Sequence, residues 1–312
     1  MTVADPPKTL DAFREDRTYL GADHRRNERR TWIVTVICAA TLVVLVAGGL
    51  TTHSVALTAS GLHMAAHVAA LLAAAAAYAL ARRHAGNPAF SFGTGKLGYL
   101  AGFANAVILA VTAVLMASES LTRLIAPEAV DYHGALPIAV GGLAVNLVCI
   151  ALLRPTQAAA DRGDPDGDLN LSAAHLHLSA DAAVSVLTLG AIWAGQALNL
   201  GFADPAAGLL SSVLVARFAY GLLRRAGAAL LDINPSPALT EEVRRRLTAE
   251  GDQLIDLHLW RLGPGHHAVI AVIAAHPPRP VEIYRARLAG LAGLSHVTIE
   301  VRGEGSGDHH HP

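Results

Sequence analysis

Apolar and polar residues are distributed along this chain in long blocks. Six predominantly apolar stretches fall at roughly Thr31–Leu50, Val55–Ala81, Leu97–Thr122, Gly134–Leu153, Leu169–Gly195 and Asp204–Leu223. About 20 such residues carry a helix across a hydrocarbon core of ~30 Å, so each block predicts a spanning helix. The third is long enough that tilting or emergence from the core is expected. After Asp232-Ile-Asn-Pro-Ser-Pro237 the pattern becomes charged and mixed. It predicts a helix (Pro237–Glu250), a strand (Leu254–Leu262), a Gly-Pro-Gly turn, a strand (Ala268–Ala275), a helix (Val281–Ala292) and a strand (Val297–Val301). That αββαβ order suits a ferredoxin-like α+β unit. The expected organisation is therefore a polar segment 1–30, a six-helix transmembrane domain 31–231, a small domain 236–303 and a tail 304–312, in a mainly α membrane protein.

Composition agrees with the block pattern: 53% of residues are hydrophobic, 16% are charged and mean hydropathy is +0.40, well outside the range of ordinary soluble domains. The formal net charge of −1 argues against a nucleic-acid partner, which would call for clustered Lys and Arg. The polar stretch Thr2–Arg30 lacks the order of a cleavable signal peptide, so the first apolar block is expected to remain as an anchor. Cationic residues are one-sided. Arg25, Arg26, Arg29 and Arg30 precede the first block, Arg82, Arg83 and Lys96 follow the second, Arg154 and Arg162 follow the fourth, and Arg224 and Arg225 follow the sixth. The alternate loops, Thr51–Ser54, Ile125–His133 and Gln196–Ala203, carry no Lys or Arg. This asymmetry predicts cytoplasmic N- and C-termini, and the expected location is the cell (inner) membrane. Cys38 and Cys149 lie in separate apolar blocks without a Cys-x-x-Cys spacing and read as small core residues.

Polar side chains inside apolar blocks carry the functional information, because ionisable groups are costly in lipid. The second block holds His63-Met-Ala-Ala-His67 and the fifth holds His177-Leu-Ser-Ala-Asp181. Spacing of i and i+4 puts both members of each pair on one helix face. Facing one another, the pairs would present three imidazoles and a carboxylate, a tetrahedral donor set suited to Zn²⁺, Co²⁺ or Ni²⁺ and unsuited to Ca²⁺ or Mg²⁺. Because imidazole must be unprotonated to ligate, such a site couples metal to protons. A satisfied interior polar group is the alternative for any one of these residues.

At these residues the chain resembles the cation diffusion facilitator family, and within it the DmeF-type cobalt and nickel exporters. The likeness runs through Tyr19-Leu-Gly, Asn27-Glu-Arg-Arg-Thr-Trp, Gly61-Leu-His-Met-Ala-Ala-His67, Phe92-Gly-Thr-Gly-Lys-Leu-Gly98, Asp204-Pro and Asp256-Leu-His-Leu-Trp-Arg261. The resemblance implies a homodimeric metal/proton antiporter that exports divalent cations by alternating access, with the metal as substrate and no cofactor, and with ligands at His63, His67, His177 and Asp181. Several positions depart from the family pattern. Ser60 and Tyr99 stand where relatives carry acidic residues, and Asp161-Arg-Gly-Asp-Pro-Asp-Gly-Asp168 replaces a His-rich run. Ala271 and Glu300 stand where some members place ligands in the C-terminal domain. These departures keep open a metal-binding homologue without transport. An intramembrane metalloprotease lacks its general base, since Met64 occupies the position of the catalytic Glu in His-Glu-x-x-His. A haem protein would make poor use of paired i,i+4 ligands.

Overall fold

The computed structural model describes residues 18–52, 55–126, 132–154, 168–198, 200 and 202–303. Six long helices come first: α1 (His24–Thr52), α2 (Val55–Arg83), α3 (Leu97–Ile125), α4 (Tyr132–Leu152), α5 (Leu169–Leu198) and α6 (Ala203–Leu230). A small sheet domain follows, with α7 (Pro237–Leu247), β1 (Gln253–Gly263), β2 (His266–Ala275), α8 (Val281–Leu288) and β3 (Leu294–Gly303). Most observed helices extend beyond the apolar blocks at one or both ends, because polar first and last turns remain helical in water or headgroups.

Among the described residues, five helices are long and apolar enough to cross a membrane, and α4 contributes a shorter apolar part, Leu136–Leu152. At 1.5 Å per residue the full α4 of 21 residues measures about 31 Å, the thickness of a hydrocarbon core. Large apolar side chains stand on the outer surfaces of these helices, among them Val44, Val114, Leu147, Trp193 and Val213. Their exposure is what a lipid solvent favours. The helices associate chiefly as α1 with α2, α3 with α6, and α4 with α5. Two buried clusters result: Tyr99, Leu109, Leu169, Val215 and Leu222 join α3, α5 and α6, while Val34, Cys38, Met64, Cys149 and Leu178 join α1, α2, α4 and α5. Close approach of α3 and α6 depends on Gly208, where an added Cβ would lie 2.1 Å from Ser120 Oγ and 3.2 Å from its Cβ.

Ser236 starts α7 by accepting a hydrogen bond from the Leu239 N–H (3.2 Å) ahead of Pro237 at the first turn. The sheet order is β1-β2-β3, with β1–β2 antiparallel and β2–β3 parallel. One face buries Leu259, Val269, Ala271 and Ile273 against Val243, Leu247, Tyr284 and Leu288 of the two helices. The αββαβ order expected from the sequence is thus present, with β3 reached from β2 through α8.

The small domain docks onto the helical domain through a tight backbone junction. Cβ atoms placed on Gly95 and Gly263 would fall 2.4 Å from the Leu262 carbonyl oxygen and 2.2 Å from the Tyr19 carbonyl oxygen, respectively. Tyr19 is buried with Leu262 and Ala268. Arg261, itself buried, donates from Nη1 to the Tyr99 hydroxyl (3.3 Å). Tyr99 therefore serves as an interdomain contact in place of an acidic side chain.

Candidate metal centre

Helices α2 and α5 bring His67, His177 and Asp181 together in the buried interior, with one ligand atom from each lying within 4.8 Å of the others. His67 and His177 are 3% and 5% exposed, and Asp181 is 9% exposed. His177 Nε2 lies 2.9 Å from His67 Nδ1, His67 Nε2 lies 2.8 Å from Asp181 Oδ2, and His177 Nε2 lies 3.9 Å from the same oxygen. The two imidazole planes are perpendicular, with centroids 4.9 Å apart. Hydrogen-bond logic orders this chain when both imidazoles are neutral: His177 Nε2–H donates to His67 Nδ1, and His67 Nε2–H donates to the Asp181 carboxylate.

A tetrahedral ion with ligand bonds of about 2.0–2.2 Å separates neighbouring donor atoms by ~3.3–3.6 Å. Taking one nitrogen from each imidazole and one carboxylate oxygen, the three donor atoms lie within 4.8 Å of one another, with His177 Nε2 and Asp181 Oδ2 3.9 Å apart. Seating a cation between the three groups requires the side chains to draw together and the N–H protons to sit on the ring nitrogens that do not ligate. His63 lies on α2 one helical turn before His67, and its side chain is outside the described residues, as is that of Ser60.

One edge of the bundle is held closed by polar contacts that the sequence patterns do not flag. Asn27 Nδ2 donates to Asp168 Oδ2 at 2.7 Å, and the Tyr78 hydroxyl donates to the same oxygen. Asp168 Oδ1 accepts from the Leu171 N–H (3.1 Å), capping the start of α5. Asn170 Nδ2 donates to the Ala74 carbonyl (2.8 Å), and Arg82 forms a two-pronged bond with Glu28 (2.9 and 3.0 Å). This latch ties α1, α2 and α5 at the Arg-bearing ends of the helices. His67 to Tyr78 is about 16 Å along α2 at 1.5 Å per residue. Asp168 is thus occupied in holding helices together. Asp161, Asp164 and Asp166 lie outside the described residues. The only local signal for this role was a carboxylate just ahead of a helix start.

Among the remaining histidines, His258 Nε2 lies 2.7 Å from Asp256 Oδ2 on exposed β1. His266 bridges Ser295 Oγ (2.7 Å) and the Leu20 carbonyl (3.3 Å). The described residues of the small domain hold no cluster of three metal-binding side chains.

Comparison with known proteins gives concordant matches. A family model described as the cation efflux transmembrane domain matches residues 31–231. The zinc transporter ZitB of Escherichia coli (strain K12) is 33% identical over 244 residues, covering 76% of this chain and 74% of that protein. The cadmium, cobalt and zinc/H(+)-K(+) antiporter of Bacillus subtilis (strain 168) is 27% identical over 298 residues, covering 91% and 93% of the two chains. The cation efflux system protein CzcD of Alcaligenes sp. (strain CT14) is 28% identical over 293 residues, covering 90% of each.

Proposed function

The chain belongs to the cation efflux family of multi-pass membrane transporters, and from that premise we propose that it exports Co²⁺ or Ni²⁺, with Zn²⁺ as a further substrate, in exchange for protons. It is a transporter and not an enzyme, and the metal is its cargo. The supporting observation is the convergence of His67, His177 and Asp181 from two helices inside the bundle. His63, one turn away on α2, completes the proposed ligand set. Zinc, cadmium and cobalt in the names of relatives support a divalent transition-metal cargo. The choice of Co²⁺ and Ni²⁺ rests on the motif resemblance.

Exchange follows from the chemistry of the three groups. Without metal, N–H protons occupy the positions between His177, His67 and Asp181. A cation entering there requires unprotonated ligating nitrogens and a free carboxylate: neutral imidazoles supply the first by a tautomer shift, and any proton held as imidazolium or carboxylic acid must leave, so added protons and the cation exclude one another. The latch among Asn27, Tyr78 and Asp168 supports a conformation closed at one face, with alternating access requiring it to part. We place both termini in the cytoplasm and the protein in the inner membrane as a homodimer, on the Arg and Lys asymmetry and the family resemblance.

The test is metal flux into proteoliposomes under an imposed pH gradient, comparing Co²⁺, Ni²⁺, Zn²⁺ and Mn²⁺ for wild type and Asp181→Ala. Gradient-dependent flux of Co²⁺ or Ni²⁺ that disappears in the variant is expected. Folded protein with no flux above empty liposomes for any metal overturns the exporter reading.

A further inference from the structure

Cys38 on α1 and Cys149 on α4 are the only two cysteines of the chain, and the fold brings them into contact. Their sulfurs are 3.9 Å apart and both residues are fully buried. Met64 belongs to the same buried cluster. It precedes His67 by one turn of α2, while Leu178, another member, adjoins His177. A packed cluster carrying three sulfur atoms thus adjoins the metal centre.

We propose that Cys38 and Cys149 form a dithiolate binding subsite for a thiophilic divalent cation, with Cd²⁺ as its best-matched occupant. Geometry, charge and softness each support this. Two thiolates on a tetrahedral ion with zinc-length bonds of about 2.3 Å stand ~3.8 Å apart and slightly farther on the larger Cd²⁺, so the observed 3.9 Å needs little movement of either helix. Binding proceeds as 2 R–SH + Cd²⁺ → Cd(S–R)₂ + 2 H⁺, forming two metal–sulfur bonds and releasing both thiol protons. The product is neutral. In an apolar interior a neutral complex avoids the desolvation cost of an uncompensated charge, whereas a monovalent soft ion between the same thiolates would leave a net negative charge. Sulfur ligands select soft cations over Co²⁺ and Ni²⁺, which suit the imidazole and carboxylate centre. Met64 contributes a further soft sulfur to the same buried cluster.

The experiment is titration of the reduced, detergent-purified full chain with cadmium chloride, reading the ultraviolet thiolate-to-cadmium charge-transfer band. With only two cysteines present, a band in the wild type already assigns the ligands. It is expected in wild type and in Asp181→Asn, and absent in Cys38→Ala and Cys149→Ala. Those alanine variants are expected to lose about tenfold or more in Cd²⁺ affinity while keeping Co²⁺ binding. Saturating Cd²⁺ that produces no thiolate band in folded wild type overturns the proposal and leaves the two residues as small packing groups. Because this band is read without transport, absent flux with a band present would count against the exporter reading alone, and flux without a band against the subsite alone.

Discussion

Asp181 carries the only carboxylate of the three-residue cluster and therefore its countercharge. Replacing it with Asn keeps the shape but removes an anionic ligand, so Co²⁺ affinity of the purified protein should fall by about tenfold or more in isothermal titration. Protons compete for the same donor atoms. Apparent affinity should rise with pH, with proton release wherever binding displaces an imidazolium or carboxylic acid proton. A pH-independent affinity would mean that the bound ion does not contact His67 or His177. Tyr78 is read differently, because it touches no member of the cluster and donates to the Asp168 carboxylate. A hydrogen bond to a charged group is worth about 1.5–3 kcal/mol, so Tyr78→Phe should lower thermal stability while leaving equilibrium metal affinity close to wild type.

At the level of elements, two glycine contacts set how helices and domains approach. Gly208→Ala places a methyl against Ser120 at the α3–α6 contact, and overpacking of this kind costs about 1–3 kcal/mol. Thermal unfolding should show the loss, and Ser120→Gly in the same chain should recover part of it. Gly142→Ala meets nothing within 4 Å in the structure and serves as the neutral comparison. Gly95→Ala collides with the backbone of β1, where no rotamer change gives relief. It should loosen the small domain from the helices, seen as faster proteolysis between α6 and α7 with the α7–β3 domain itself intact. Several short motifs whose purpose is obscure in one dimension, Tyr19-Leu-Gly, Phe92-Gly-Thr-Gly-Lys and His258-Leu-Trp-Arg261, meet at this junction.

For the whole molecule, the one-sided cations and the polar latch lie at the same ends of the helices. Arg217, midway along α6, and Arg123, in the last turn of α3 at the opposite end, are the exceptions, and Arg123 pairs there with Glu119 (2.8 Å) and Asp204 (3.8 Å). Cysteine-accessibility labelling in a chain with Cys38 and Cys149 replaced should find positions 240 and 128 on opposite sides of the membrane. The position near α7 should react only with reagent on the cytoplasmic side. Labelling of both from one side would remove the six-span arrangement.

The linear chain determined the architecture to a large extent, because crossing lipid requires long apolar runs and a compact sheet domain requires alternation, and both are local properties. Spacing of four residues placed His177 with Asp181 on one helix face, and their meeting with His67 followed from the cost of leaving such groups in hydrocarbon. Tertiary structure decided what depends on residues distant in sequence. Asp168 read only as one carboxylate of an Asp-rich stretch until α1 and α2 supplied Asn27 and Tyr78. Tyr99 looked like a lost acidic residue until β1 supplied Arg261. Cys38 and Cys149 read as unrelated because no motif spans 111 positions, and only the packing of α1 beside α4 sets their sulfurs in contact.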